Sequence, residues 1–272
     1  MIRIHVINPN STASMTDQIA RAAEAARSEG TVIEAETATD TPASIEGYAD
    51  EAMAVPAMLA AIRAAEKRGV SAHVIACFDD PGLAAAREVA SGPVIGICQA
   101  AVQVAVTVAT RFTVITTLPR SVPVIEDLVA HYGAASRCRR VRSVDLPVLA
   151  LETDPAIARA KLLNEARAAI REDGVDAIVL GCAGMAELCN WLSRETGVPV
   201  IDGVAAAVKL AEALVSGGFR TSKAGAYAYP RDKSGDLVSA CHPIIDQRMV
   251  HTPISQEVIN SAETATFCSL QP

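Results

Sequence analysis

The sequence has few aromatic residues and no excess of positive charge. Phe, Tyr and Trp together make up 3% of the 272 residues, and 24 Lys and Arg residues stand against 31 Asp and Glu residues, a formal net charge of −7. Nucleic-acid binding needs a basic surface, and single strands also need aromatic side chains on which bases stack. The composition therefore excludes a general binder of nucleic acids or of acidic membranes. It favours an enzyme or a binder of small molecules.

Long apolar runs and metal-binding cysteine patterns are also missing. The longest apolar stretch, 100–109, contains Gln103 and is about half of the ~20 residues that a membrane-spanning helix needs. Residues 1–7 have the length of a strand and are too short for the apolar core of a signal peptide. No cysteines are spaced C-x2-C and the five histidines do not cluster near them, so we predict no metal site. An odd count of seven cysteines without a secretory signal predicts reduced thiols in a cytoplasmic protein.

Short β-branched runs alternate along the chain with longer alanine-rich stretches. Half of the residues are apolar, enough for a sizeable core. Apolar strands joined by helix-length crossovers are typical of parallel sheets covered on both faces, so the predicted fold class is α/β. The predicted strands are 2–7, 32–35, 73–77, 94–97, 112–116, 139–144, 177–181 and 198–202. The predicted helices are 15–28, 48–68, 81–90, 99–109, 122–131, 155–172, 185–195 and 205–215.

Two of the helix starts carry capping signals. Ser14 is followed three residues later by Asp17, a spacing that resembles a capping box. Asp80 precedes Pro81, as an N-cap residue precedes a proline in the first helical position. We therefore predict that Ser14 and Asp80 cap the helices that directly follow them.

The chain contains an internal repeat of a strand, a helix and a second strand. Cys77 and Cys182 follow the first strand of the two copies, and Pro93 and Pro199 open the second strand at nearly the same distance. Ala-Ala-Val follows each proline at the same offset. Duplication predicts two similar Rossmann-like lobes related by a pseudo-two-fold axis, with the active-site cleft between them. The predicted lobes are 1–98 with about 205–230, and 99–204, and residues 231–272 form a polar C-terminal tail.

Cys77 and Cys182 both lie at the strand ends where open parallel sheets bind ligands. If the lobes face each other, the two thiols lie on opposite sides of one ligand. A helix start after each thiol lowers its pKa from about 8.5, whereas the charges of Asp79 and Asp80 oppose this at Cys77. We therefore expect thiols of different pKa, one a thiolate and one a thiol. The alternative is inert packing, because free cysteine is among the most buried residue types.

A thiolate and a thiol on opposite faces of a carbon atom suit the inversion of a stereocentre beside a carbonyl group. One sulfur removes the proton, and the other returns a proton from the far side. Backbone N–H groups near Phe78, Asp79, Ala183 and Gly184 are expected to hold the enolate. The sequence contains neither G-x-G-x-x-G nor a Walker A motif for a nucleotide cofactor.

Five motifs point to a known family. They are Ile7-Asn8-Pro9-Asn10-Ser11-Thr12, Ala43-Ser44-Ile45-Glu46-Gly47, Ala76-Cys77-Phe78-Asp79-Asp80-Pro81-Gly82-Leu83, Leu180-Gly181-Cys182-Ala183-Gly184-Met185 and Pro199-Val200-Ile201-Asp202-Gly203-Val204. From Met1 to about Pro230 the chain resembles the hydantoin racemase branch of the aspartate/glutamate racemase superfamily. The resemblance implies a homo-oligomer that racemises 5-monosubstituted hydantoins without a cofactor, with Cys77 and Cys182 as the acid/base pair. It also implies a substrate pocket lined by Asn10, Ser44, Phe78, Thr116, Thr117, Ala183 and Gly184.

Several alternatives stay open beside this resemblance. Allantoin racemase is a close relative, but that branch often has glycine where this chain has Asp79 and Ala183. A decarboxylase or isomerase of the same fold and a two-lobed ligand sensor are further alternatives. Asn10 and Ser44 also suit local caps, Phe78 suits the core, and the two threonines suit a strand. None of the motifs contains Lys or Arg to hold a substrate carboxylate, which disfavours aspartate and glutamate as substrates.

Overall fold

The computed structural model describes residues 1–231, and 232–272, which include nearly all of the predicted tail, lie outside the described residues. All eight predicted strands are present, with bounds that differ from the predictions by no more than a few residues. They are β1 (Ile2–Asn8), β2 (Thr31–Thr37), β3 (Ala72–Ile75), β4 (Val94–Gly96), β5 (Phe112–Thr116), β6 (Cys138–Ser143), β7 (Ala177–Leu180) and β8 (Val200–Asp202).

The strands form two sheets with the same topology. The first sheet has the order β2-β1-β3-β4 and the second has the order β6-β5-β7-β8, and every neighbouring pair is parallel. Every residue of β3, β5 and β7 is buried, as expected for strands covered by helices on both faces. The predicted α/β fold with two similar lobes is confirmed.

The helices lie between the strands, as the alternation predicts. They are α1 (Ala13–Ala26), α2 (Tyr48–Lys67), α3 (Leu83–Val89), α4 (Ile97–Val108), α5 (Val122–His131), α6 (Ala150–Thr153), α7 (Pro155–Ala168), α8 (Cys189–Thr196) and α9 (Gly203–Ser216). A π-helical turn extends α7 and a 3-10 segment, Ala183–Leu188, precedes α8. Within residues 1–231, no helix has the length and apolarity that spanning a membrane requires.

Both predicted helix caps are wrong. Helix α1 begins one residue before Ser14, whose hydroxyl instead donates a hydrogen bond to Glu152 at 2.8 Å. Helix α3 begins at Leu83, after a turn in which Asp80 has φ +44° and Gly82 has φ +61°. These caps are inferred from neighbouring residues in the sequence, but in the folded chain Ser14 and Asp80 have hydrogen-bond partners that are distant in sequence.

Asp80 caps a different helix, α4. Its carboxylate accepts hydrogen bonds from the backbone N–H groups of Cys98 at 3.0 Å and Gln99 at 2.9 Å. Gly96, the N-cap residue of α4, leaves space for this carboxylate, because a Cβ at that position would lie 2.2 Å from Asp80 Cγ. The loop that follows Cys77 is therefore tied to the first turn of α4.

The helices α4 and α9 cross between the two sheets. Helix α9 contacts β1, β3 and β4 of the first sheet and β8 of the second, and α4 contacts β7 and β8 of the second sheet and β4 of the first. The two helices touch each other at Gly203, where a Cβ would lie 2.6 Å from the carbonyl oxygen of Ile97. The residue boundaries of the predicted lobes stay a prediction.

Candidate active site between the two lobes

A small cavity lies at the carboxyl ends of the central strands of both sheets. Residues after β1 and β3 line it from the first lobe, and residues at the ends of β5 and β7 line it from the second. Of the residues proposed for the site from the sequence, those that line the cavity are Asn10, Cys77, Phe78, Thr116, Thr117, Cys182 and Ala183.

The two candidate thiols are contributed by one lobe each. Cys77 and Cys182 are half-buried in the wall of the cavity. They are close enough that a negative charge on Cys182 raises the pKa of Cys77. The structure therefore brings the two sulfur atoms to one cavity.

Each thiol faces a backbone N–H group two residues further along the chain. The N–H group of Asp79 favours the thiolate of Cys77, and the N–H group of Gly184 favours the thiolate of Cys182. The second thiol directly precedes the 3-10 segment, whereas five residues separate the first from helix α3. The N–H group that faces the Cys77 sulfur therefore belongs to a loop and not, as expected, to the start of a helix.

The expectation that the environment lowers the thiol pKa values is wrong. Burial raises the pKa of Cys77 well above its ordinary value, and the negative charge of Asp79 raises it further. Burial, with smaller contributions from Asp79 and Glu46, raises the pKa of Cys182 to about 12. The loss of hydration outweighs the hydrogen bond to each sulfur, because a thiolate is poorly stabilised away from water.

Two of the predicted contact residues do not line the cavity. The hydroxyl group of Ser44 donates to Glu46 at 3.3 Å, and the neighbouring Ile45 lines the cavity instead. Gly184 lies behind the second thiol, where a Cβ would be 3.7 Å from the Cys182 sulfur and 3.2 Å from Leu151.

The side chains of Asn10 and Thr116 have structural partners as well as a place in the cavity wall. The Asn10 side-chain oxygen accepts from the N–H group of Thr12 at 3.0 Å, the local turn that the sequence left open as an alternative. The hydroxyl group of Thr116 donates to the carbonyl oxygen of Gly181 at 3.0 Å, which joins β5 to the end of β7. Both residues therefore hold the cavity wall in place.

Sequence reasoning missed several residues of the cavity wall. Ile45 adjoins a residue that was proposed, but Met15, Ser121 and Val148 carry no local signal of a site. The backbone N–H group of Val148 donates to Glu46 at 2.9 Å, and this bond joins the loop that contains Ile45 to the second lobe.

The cavity is acidic. No Lys or Arg lines it among the described residues, whereas Asp79 does. Burial, followed by the charges of Glu51 and Asp80, raises the pKa of Asp79 to about 7. Such a cavity opposes a substrate carboxylate next to the thiols, because like charges repel strongly where water is scarce.

Comparisons with known proteins agree on one family. The model of the family "Asp/Glu/Hydantoin racemase" matches residues 4–211 of this chain. The chain is 66% identical over 240 residues to a hydantoin racemase of Rhizobium meliloti, covering 88% of this chain and 100% of that protein. It is 47% identical over 232 residues to a hydantoin racemase of Pseudomonas sp. (strain NS671), covering 85% of this chain and 93% of that protein. The structure of allantoin racemase from Klebsiella pneumoniae is similar with a TM-score of 0.84 and 50% identity, covering 86% of this chain and 95% of that one.

Proposed function

Because the chain belongs to the Asp/Glu/hydantoin racemase family, and is therefore an isomerase, we propose that it racemises 5-monosubstituted hydantoins. The proposed reaction needs no cofactor. It moves protons between C5 of the ring and two opposed thiols, those of Cys77 and Cys182.

The observation that carries this proposal is the placement of one thiol from each lobe at a single cavity. One thiolate takes the proton from C5, and the electron pair of the broken C–H bond moves into the ring as an enolate on the adjacent carbonyl group. The opposite thiol then gives its proton to the other face of C5 and becomes a thiolate. Protons and charge balance, and the next turnover can begin from the mirror-image substrate.

The electrostatics of the cavity suit a hydantoin better than an amino acid. The reacting carbon of a hydantoin carries no carboxylate, so loss of its proton builds up one negative charge and not two. The cavity offers no Lys or Arg among the described residues for a carboxylate, and it already contains Asp79. Backbone N–H groups beside the thiols are the available donors for the developing oxyanion.

Single replacement of each thiol tests the mechanism. Optically pure 5-benzylhydantoin in D₂O should lose its rotation with uptake of deuterium at C5 in the presence of the wild-type enzyme. We expect Cys77→Ser and Cys182→Ser each to lower racemisation by about 1,000-fold or more, because general acid–base catalysis contributes up to about 10⁴-fold. Cys138→Ser, which replaces a partly exposed thiol of β6 outside the cavity, should remain active. Near-normal turnover in either cavity variant would exclude the two-thiol mechanism.

Allantoin is the second candidate substrate, because the similarity to the Klebsiella pneumoniae enzyme extends over most of both chains. Allantoin is a hydantoin whose C5 substituent is a ureido group, so the same proton transfers apply to it. Racemisation rates for the benzyl, isopropyl and ureido compounds, compared at equal concentration, decide between the two proposals. A rate for the ureido compound far above the other two would assign the enzyme to allantoin.

Both thiols must remain reduced for the proposed reaction. We therefore propose a reducing, cytoplasmic location. Cys77, Cys98, Cys138, Cys182 and Cys189 are all free thiols in the described part of the chain.

A further inference from the structure

Asp79 carries a buried carboxyl group that has no partner in the described part of the chain. The residue is 8% exposed and lines the cavity beside the thiols. No hydrogen bond contributes to its pKa. The neighbouring Asp80, in contrast, accepts hydrogen bonds from two backbone N–H groups and from the hydroxyl group of Tyr132 at 2.7 Å.

The internal repeat places a residue without a side chain, Gly184, at the position equivalent to Asp79. Asp79 and Gly184 occupy equivalent places, two residues after their thiols, and each directs its N–H group to the sulfur. The second lobe performs this task with glycine. The carboxyl group of Asp79 is therefore an addition to the first lobe that the hydrogen bond to sulfur does not explain.

The surroundings of Asp79 supply only negative charge. The charged groups that act on it are Glu51, in the first turn of α2, and Asp80, and both raise its pKa. A buried carboxylate without a counter-charge is costly, and a bound cation removes most of that cost. Glu51 extends the negative region from Asp79 towards the start of α2.

We infer that Asp79 determines substrate specificity by selecting hydantoins whose C5 substituent ends in a cation, such as an ammonium or guanidinium group. The inference rests on the proposed racemase function, and it names the substrate class of the same site. The proposed reaction holds C5 between the two thiols, and Asp79 lines the same cavity, so a short alkyl chain on C5 would carry its terminal cation towards Asp79. The ring N–H groups are common to all hydantoins and give no such selection.

A matched pair of substrates tests the inference. 5-(4-Aminobutyl)hydantoin and 5-pentylhydantoin have substituents of equal length, and only the first carries a positive charge. For the wild type at pH 8 we expect the kcat/KM of the cationic compound to exceed that of the neutral one. Asp79→Asn should lower the ratio of the two values by about tenfold or more, the effect of losing a charge pair in a cavity poor in water. Glu187→Gln, which replaces an exposed carboxylate outside the cavity, should leave the ratio unchanged.

The pH gives a second readout without a variant. Because the pKa of Asp79 is about 7, its carboxylate is present at pH 8 and mostly protonated at pH 6. The preference of the wild type for the cationic substrate should therefore shrink between pH 8 and pH 6, and Asp79→Asn should show no such change.

Two results would overturn the inference: a wild type that does not prefer the cationic substrate, and a ratio of kcat/KM values that Asp79→Asn leaves unchanged. If the ratio is unchanged because both substrates lose equally, Asp79 acts on the ring that they share. Titration calorimetry of both compounds with the wild type and Asp79→Asn gives the corresponding ratio of dissociation constants. If neither compound is racemised but the binding preference is present and depends on Asp79, the proposed function fails while the selection by Asp79 stands.

Discussion

The two cavity thiols are stronger bases than ordinary cysteines, once they are ionised. Burial opposes their ionisation, and it raises the pKa of Cys182 to about 12. A base of high pKa takes a proton from carbon more readily, but only a small fraction of it is ionised at neutral pH. The N–H groups of Asp79 and Gly184 partly offset the effect of burial on the thiol pKa values. In the proposed enzyme both effects together set the fraction of each thiol that is ionised.

A second pair of buried residues lies on neighbouring strands of the first sheet. The Nδ1 atoms of His5 and His73 are 3.0 Å apart, and both side chains are fully buried. The Nε2 atom of His5 lies 3.2 Å from Glu36, and that of His73 lies 2.8 Å from Glu66. These three contacts need three ring protons, which two imidazole rings provide when one of them is charged. One more proton would put two cations in contact.

This pair makes the stability of the protein depend on pH. Burial, with the charges of His73 and Arg68, lowers the pKa of His5 to about 3, below the value of 6.5 for an unfolded chain. The contribution of neutral His5 to the stability of the fold is therefore complete above pH 6.5 and is lost as the pH falls towards 3. Between pH 7 and pH 5 the free energy of unfolding should fall by about 2 kcal/mol on account of His5. Urea unfolding of the wild type and of His5→Gln at both pH values measures this contribution, and an equal fall in the variant would contradict it.

At the scale of elements, the two lobes cap equivalent helices in different ways. The carboxylate of Asp202 directly precedes α9 and accepts from the N–H groups of Val204 at 3.0 Å and Ala205 at 2.9 Å. In the first lobe Gly96 holds that position, and Asp80 reaches the first turn of α4 from the loop after Cys77. Only in the first lobe does the cap also hold a loop that follows a candidate catalytic thiol.

Substitution of the two capping residues distinguishes helix capping from positioning of the loop after Cys77. Asp80→Ala and Asp202→Ala should each lower the free energy of unfolding by about 1 kcal/mol, the usual cost of losing a helix cap. Asp80→Ala should also lower kcat/KM for a neutral hydantoin by about tenfold or more, because a small displacement of a reacting group is costly. Asp202→Ala should retain most of the activity, since Asp202 does not line the cavity. Equal activity in the two variants would show that Asp80 does not position the loop.

At the scale of the whole molecule, the cavity depends on contacts between the lobes. Helices α4 and α9 approach closely at Gly203, and Glu46 binds the backbone of Val148 across the site. Ser14 and Glu152 add a further hydrogen bond between α1 and α6. These contacts set the separation of the two thiols, because each thiol is attached to its own sheet. The homo-oligomer that the resemblance implies stays a prediction.

A methyl group at the helix crossing should disturb both stability and catalysis. Gly203→Ala places a Cβ 2.6 Å from the carbonyl oxygen of Ile97, so the helices must move apart. We expect a loss of about 1–3 kcal/mol in the free energy of unfolding, as for other overpacked sites, together with slower racemisation. Ala213→Ser, which adds one atom at an exposed position of the same helix, should change neither. Chemical unfolding and a racemisation assay on both variants provide the measurements, and normal stability in Gly203→Ala would contradict this account of the crossing.

The amino-acid sequence by itself determined the eight strands and the parallel order of the fold. Runs of β-branched residues and alanine-rich stretches differ in their periodicity, and that difference is local, so all eight strands could be predicted. The repeat around Cys77 and Cys182 also predicted which strand ends carry the thiols, because parallel strands direct the same ends to one edge.

Only the tertiary structure decided the chemical state of these groups. The cap formed by Asp80, the burial that raises both thiol pKa values and the lack of a partner for Asp79 depend on groups distant in sequence or on the exclusion of water. Ser14 has its partner 138 residues away, so its local capping signal could not prevail. Desolvation and long-range hydrogen bonds arise when the chain packs, and no pattern of neighbouring residues encodes them directly.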